Sequence, residues 1–278
     1  MSRFLSPLRY PGGKNKLIPS IESLIRNNDL IGSTYIEPFS GGASVALYLL
    51  FNNLVSNIYI NDIDRSIYAF WYSVVNHNEE LCNLIDNAIL NIDEWNKQKS
   101  IQENKDTSDL LSLGFSTFYL NRTNRSGIIK GGVMGGIDQT GKYKMDCRFN
   151  KVELIKRIKR IGTISDKINI FNLDTLELLE EVYPNIENTC FLYFDPPYYK
   201  KGSQLYVNFY NHDDHVALSN SIKRLEDDYW IVTYDNEENI KEMYSEYRQD
   251  VYDLSYTVQT KYTGQEIIIY SANLNFIL

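Results

Sequence analysis

Residues 190–202 read CFLYFDPPYYKKG. Phe191–Phe194 is a short apolar run rich in aromatic residues, as expected of a buried strand. It stops on one acid, Asp195, ahead of two prolines and two tyrosines. A strand that only filled a core would not need a carboxylate between a sheet and a rigid turn. Each proline fixes its own φ and restricts the residue before it, so the backbone around Asp195 is stiff. Proline also lacks an N–H, which leaves neighbouring carbonyls, that of Pro196 included, less readily tied up. A carboxylate and a carbonyl held together are two acceptors suited to the two hydrogens of an amino group. Tyr198 adds a flat face, while Lys200-Lys201-Gly202 reads equally as a phosphate contact or as solvated charge.

Working outward, strands and helices alternate. Helical periodicity over Lys14–Arg26 (Leu17, Ile18, Ile21, Leu24, Ile25) precedes a strand at 34–39, TYIEPF, a turn at Ser40-Gly41-Gly42 and an apolar helix, ASVALYLLF. A second strand, NIYIND, stops at Asp62, and a long helical region begins near Arg65. The polar stretch 96–109 reads as a loop or domain boundary, a helix covers 110–120, and the glycine-rich residues 121–150 suggest hairpins and loops. Alternation resumes with KINIFN, TLELLEEV, CFLYF, a helix opening at His212, YWIVTYD, a helix over 238–247 and two closing strands, VYDLSYTV and QEIIIYSANL. The pattern predicts an α/β fold with a mostly parallel sheet covered on both faces. Residues 1–95 and 165–278 form its body, and 96–164 an inserted domain.

Length fits one large domain with an insertion, or two domains: there are 278 residues, 43% hydrophobic and 23% charged. No apolar stretch approaches the roughly 18–20 residues that cross a bilayer, and the start, MSRFLSPLRYPGGK, lacks a signal-peptide apolar region. Cys82, Cys147 and Cys190 are far apart and lack a CxxC spacing, which suits reduced thiols in a cytoplasmic protein. The net charge of −8 hides an asymmetry: 120–161 carries eleven basic and three acidic residues, a net +8 that leaves −16 for the rest. Such a segment on an acidic body is either a polyanion-binding region or a solvated basic face.

In sheets of this kind ligands bind beyond the carboxyl ends of the strands, near the switch point. Glu37-Pro38-Phe39-Ser40-Gly41-Gly42 joins a strand to a helix there, and its paired glycines permit close backbone approach. Asp62, twenty residues after Gly42, stands where an acid binds ribose hydroxyls, and Asp174 shares that edge, placed to meet an adenine amino group. Each feature also reads as an ordinary turn or helix cap. The chain has neither the G-x-G-x-x-G of a dinucleotide site nor a phosphate-binding G-x-x-x-x-G-K-[ST]. A cofactor with a nucleoside but no phosphate fits better, and S-adenosyl-L-methionine is the candidate.

With RYPGGK near the start, EPFSGG at the first strand, ND at the second and FLYFDPPY at the fourth, the chain resembles the D12-class (Dam-type) N6-adenine DNA methyltransferases over most of its length. The order of blocks matches that family's α-type arrangement, with target recognition inserted between the second and third strands. The resemblance implies a Rossmann-like methyltransferase sheet, S-adenosyl-L-methionine as cofactor and double-stranded DNA as partner. It implies that Tyr10, Lys14, Glu37, Phe39, Gly41, Gly42, Asp62, Asp174 and Asp195 surround the cofactor. It places the chemistry at Asp195, Pro196, Pro197 and Tyr198, and Arg9 beside the target base. Tyr10 stands where many members have Trp. NRTNRSG and GGVMGGIDQTGKYK depart from the hairpin of GATC-methylating enzymes, which separates the chemistry from GATC recognition.

The expected reaction is direct methyl transfer to N6 of a flipped adenine, with Asp195 and the Pro196 carbonyl holding N6 and Tyr198 stacking on the base. Arg122, Asn124, Arg125, Lys142, Lys144 and Arg148 are expected on DNA, with Asn124, Arg125 and Gln139 reaching base edges. A monomer or weak dimer, with or without a cognate restriction enzyme, in the cytoplasm of a prokaryote or encoded by a phage, completes the expectation. His212-Asp213-Asp214-His215 reads as a helix start capped by Asn211 rather than a metal site. The aromatics Tyr206, Phe209 and Tyr210 read either as core or as a wall for the base. RNA or cytosine-N4 methylation, an inactive DNA-binding regulator, and a nicotinamide-dependent oxidoreductase are the alternatives.

Overall fold

The computed structural model describes residues 5–10, 13–200, 210–257 and 261–275, with the backbone alone over 254–257 and 261–263. Its seven strands are β1 (Ser33–Glu37), β2 (Val55–Asn61), β3 (Ile168–Phe171), β4 (Cys190–Phe194), β5 (Tyr229–Asp235), β6 (Arg248–Thr257) and β7 (Lys261–Tyr270). They lie in the order β3-β2-β1-β4-β5-β7-β6. β1 pairs in parallel with both β2 and β4, and β4 with β5. The winding therefore reverses between β1 and β4, whose carboxyl ends flank the crevice where such sheets hold ligands. β7 runs antiparallel to β5, so its beginning lies at the carboxyl end of the parallel strands, with Glu266 opposite Asp235.

Full burial explains the unbroken apolar run of β4; every residue of β1 and β4 is buried. One face of the sheet packs Leu192, Phe194, Trp230, Val232, Ile267 and Ile269 against Leu218, Ile222 and Ile240 of the helices α9 (His212–Lys223) and α10 (Glu238–Met243). Each such side chain contributes about 1.5–3 kcal/mol over exposure. The helix α1 (Ile18–Asn27) buries Ile18, Ile21, Leu24 and Ile25, the periodic face the sequence shows. By contrast α2 (Ser44–Phe51) buries Val45, Ala46, Leu47, Leu49 and Leu50, apolar on nearly every side because it is covered all round.

Two compact units emerge, 14–64 with 171–278, and 1–13 with 65–170. The second of these holds α3 (Arg65–Asn76), α4 (Asn78–Asp86), α5 (Ile92–Glu103), α6 (Leu110–Thr123) and α7 (Lys151–Gly162). Residues 65–95 share a unit with 96–164. The cause is close packing of α3 on α6: a Cβ on Gly114 would lie 2.5 Å from the Ala69 carbonyl oxygen. Phe118 stacks on Phe70 and meets Phe149 edge-on at 5.4 Å.

Two local expectations are corrected. Residues 96–103 are helical, inside α5, where Asn91 caps by accepting from Glu94 N–H at 2.8 Å and the buried face is only Trp95 and Gln98. So thin an apolar stripe leaves little periodicity to read. Residues 121–123 end α6, and 124–150 form 3-10 turns and one isolated bridge, Asn124 to Val133, in place of hairpin ladders. Gly127, Gly135 and Gly136 adopt φ of 77°, 89° and 79°, which no regular strand permits.

Candidate active site

Asp195 emerges from β4 where the prolines stop the ladder. Its Oδ1 lies 3.0 Å from Lys14 Nζ and accepts from Thr233 Oγ1–H at 2.7 Å; Tyr193 and Thr233 hydroxyls meet at 3.0 Å. The Lys14 ammonium, 5% exposed, is shared: Glu266 Oε2 lies 3.1 Å away and Oε1 3.3 Å. Tyr198 O–H donates to Glu266 Oε1, and Tyr252, across the strand pair, donates to Oε2. Lys14 Nζ also stands 5.2 Å from the centre of the Tyr198 ring. Burial pushes the Asp195 carboxyl up, Lys14 pulls it back, and Glu266 raises it again.

At the end of β1, Gly41 adopts φ 44° and donates its N–H to Asp62 Oδ2 at 3.0 Å. Asp62 Oδ1 accepts from Asp64 N–H at 2.9 Å. Ala43 holds φ 45°, a strained conformation for a residue with a Cβ, fixed by its N–H to the Ser40 carbonyl. The buried Asn61 joins the strand ends: its Nδ2 donates to the Pro38 and Leu173 carbonyls, both at 3.0 Å, and its Oδ1 accepts from Leu173 N–H at 2.9 Å.

Glu37 is buried beside this turn, and among the described residues nothing bonds its Oε2. Desolvation, with Asp195 and Asp62 nearby, pushes its carboxyl well above the usual range. An orphaned buried acceptor next to a glycine turn and two strand-end acids suits a ligand rich in hydroxyl and amino donors. These residues fit S-adenosyl-L-methionine.

The structure therefore brings Lys14, Glu37, Gly41, Gly42, Asp62, Asp195 and Tyr198 to one sheet edge. Among the described residues nothing donates to the Pro196 carbonyl. Phe39 packs edge-on against Tyr210 at 6.0 Å, so Tyr210 belongs to the core face here; Tyr206, Phe209, Lys201 and Gly202 lie outside the described residues. Asp174 caps the single-turn helix α8 (Thr175–Glu177) through Leu176 N–H at 2.8 Å, a reading the sequence also allowed. Tyr198, expected as a stacking face, is 3% exposed because its hydroxyl is drawn to Glu266. Glu266, Thr233 and Tyr252 escaped sequence reading. The signal available was an acid opening an otherwise apolar strand, QEIIIY. Asn211 caps α9 through Asp214 N–H at 3.1 Å, and His215 is buried with Nδ1 3.0 Å from Tyr234 Oη, its imidazole pushed down to about 4 by desolvation.

In the other unit, Arg9 and Tyr10 lie on the N-terminal segment. Arg9 N–H donates to Asn121 Oδ1 and its carbonyl accepts from Asn121 Nδ2, both at 2.8 Å; the Tyr10 carbonyl accepts from Gly13 N–H at 3.2 Å. Arg125, Lys142, Lys144 and Arg148 are exposed, as a DNA contact requires. Asn124 is not: it is fully buried, accepts from Trp95 Nε1–H at 2.7 Å and donates to the Ile128 and Ile129 carbonyls. Its amide holds the loop together. Gln139 is likewise occupied, with the Met134 and Gly136 carbonyls and Met145 N–H. Arg122 is buried too, donating to the Pro7 carbonyl, and burial beside Arg157, Arg9 and Arg148 lowers its guanidinium to about 9.

Among curated proteins the chain is 28% identical over 239 residues to the type II methyltransferase M.MjaIII of Methanocaldococcus jannaschii, covering 79% of each. It is 23% identical over 254 residues to the type II methyltransferase M.CviBI of Paramecium bursaria Chlorella virus NC1A, covering 90% of each. Among solved structures, the tRNA methyltransferase TrmK of B. subtilis matches with a TM-score of 0.37 at 10% identity, over 92% of this chain and 65% of that one. The model of the D12 class N6 adenine-specific DNA methyltransferases matches residues 10–260. The chain belongs to that family, whose members methylate adenine N6 in DNA with S-adenosyl-L-methionine as donor.

Proposed function

We propose that this chain methylates a single adenine, flipped from duplex DNA, within a defined sequence. Asp195 and the Pro196 carbonyl receive the two N6 hydrogens. The observation that carries this reading is Asp195 itself: a 22% exposed carboxylate at the end of a buried strand, steadied on one oxygen by Thr233 and Lys14. Bound S-adenosyl-L-methionine supplies an electrophilic methyl on a sulfonium, which leaves as a neutral thioether. Adenine N6 is a poor nucleophile because its lone pair is delocalised. Two fixed acceptors pull its hydrogens out of the ring plane and free that pair, so positioning and electrostatics lower the barrier. N6 gains one bond to carbon and sheds one proton, which Asp195 accepts, helped by the burial that raises its affinity for protons. Lys14, Glu37, Phe39, Gly41, Gly42 and Asp62 hold the donor, with Tyr10 and Asp174 as further contacts.

The inserted domain, 96–164 extended by the rest of its unit, serves target recognition. Exposed Arg125, Lys142, Lys144 and Arg148 meet DNA, with Arg9 beside the target; Asn124, Gln139 and Arg122 build the loops that present them. The chain acts as a monomer or weak dimer in the cytoplasm, with or without a cognate restriction enzyme. Among the described residues no helix is long and apolar enough to cross a membrane. Sequencing that detects modified bases, on DNA from cells expressing the chain, tests the reading. N6-methyladenine in one recurring context supports it; N4-methylcytosine, or methyl groups on RNA alone, overturns it.

A further inference from the structure

Glu266 has no part in the scheme above, yet it is the most enclosed acid near the reacting edge. It is 0% exposed and takes the Lys14 ammonium and the hydroxyls of Tyr198 and Tyr252. A fully buried carboxylate is costly unless paired and hydrogen-bonded, and one cation divided between two acids is an unusual way to meet that cost. Electrostatically the arrangement has a clear effect. Lys14 and Asp195 alone would form a neutral pair, a weak acceptor for amino hydrogens. With Glu266 on the same ammonium the trio carries a net −1, and electron density returns to Asp195.

We propose that Glu266 is a positioning residue for methyl transfer: it draws Lys14 partly away from Asp195, which keeps Asp195 a strong acceptor for N6–H, and it anchors the Tyr198 ring by its hydroxyl. Asp195 is also faced by Glu37 and Tyr35 from β1, Tyr234 from β5 and Tyr193 from its own strand. Of these surroundings Glu266 is the acid that shares Lys14. Its charge raises the proton affinity of Asp195, in agreement with the distances. The place of Glu266 follows from topology, because antiparallel β7 begins at the edge where the parallel strands end.

The inference rests on Asp195 as the amino acceptor, and the two are tested apart. With unmethylated genomic DNA and labelled S-adenosyl-L-methionine, Asp195→Asn should lose transfer; retained transfer would remove the reading of Asp195 whatever Glu266 does. Glu266→Gln should lower kcat by about tenfold or more while the calorimetric Kd for S-adenosyl-L-methionine stays within about threefold. Removing a like charge lowers the Asp195 proton affinity, so the acid limb of its kcat–pH profile should move to lower pH. Glu266→Asp keeps the charge and should leave the limb in place. A Gln variant with the wild-type limb, or Gln and Asp variants shifted alike, overturns the proposal. If Glu266→Gln does not fold, Tyr252→Phe decides: loss of one donor leaves the Glu266 charge less screened toward Asp195 and moves the limb up. An unmoved limb there contradicts the proposal.

Discussion

Three carboxylates at one sheet edge behave differently because their partners differ. Asp62 engages both oxygens with backbone N–H groups, Asp195 shares a lysine and a threonine, and Glu37 keeps one buried oxygen without a partner among the described residues. Glu37 therefore holds its proton in the folded protein at pH values where the unfolded chain has released it. The folded state then binds the extra proton, and stability falls as pH rises from the unfolded value toward the raised folded one. Glu37→Gln should accordingly raise Tm at pH 8, and the gain should shrink toward pH 5 in a thermal melt series. Glu37→Leu should weaken S-adenosyl-L-methionine binding by about tenfold in calorimetry, since it removes a buried acceptor for a donor group.

Packing between elements is as exacting as pairing between residues. Gly114 lies where α6 meets α3, and the Cβ of Gly114→Ala would stand 2.3 Å from Ser73 Oγ and 2.5 Å from the Ala69 carbonyl oxygen. Helix propensity favours alanine by about 1 kcal/mol, but overpacking of this kind costs roughly 1–3 kcal/mol, and the backbone oxygen cannot rotate away. A lowered Tm is expected, measured by calorimetry; an unchanged or higher Tm would show that the helices separate freely. What is legible in the sequence divides along physical lines. β4 is plain because a strand covered on both faces is continuously apolar, β5 because its centre, WIV, is too, and the glycine turn and Asp195 follow from strand ends. Residues 96–103 are opaque because α5 buries only Trp95 and Gln98, so polar composition masks a capped helix. Asn124 and Gln139 look like base readers because an amide's donors and acceptors are visible in sequence, whereas the carbonyls that occupy them come from the loop's path. Glu266 is hidden for a related reason: its partners come from three distant segments, and no local pattern records them.

Across the whole molecule, charge rather than hydropathy separates the two roles. The chain is −8 overall, yet 120–161 is +8, a distribution suited to holding a polyanion while the acidic remainder resists non-specific association. Removing one lysine or arginine from a phosphate should reduce the slope of log affinity against log salt by about 0.9. Lys144→Gln and Arg148→Gln should each flatten the slope by that amount in fluorescence titrations with duplex DNA, while Asn124→Ala should instead lower Tm because its loop bonds disappear. A slope indifferent to both charge variants would place the DNA elsewhere. The central claim, that the Asp195 edge performs methyl transfer to adenine N6, has a direct measurement: labelled methyl incorporated into DNA by the native chain and by Asp195→Ala, with the modified base identified by mass spectrometry. N6-methyladenine is expected from the native chain, and from the variant none despite retained DNA binding. N6-methyladenine formed by Asp195→Ala at the native rate would contradict the claim.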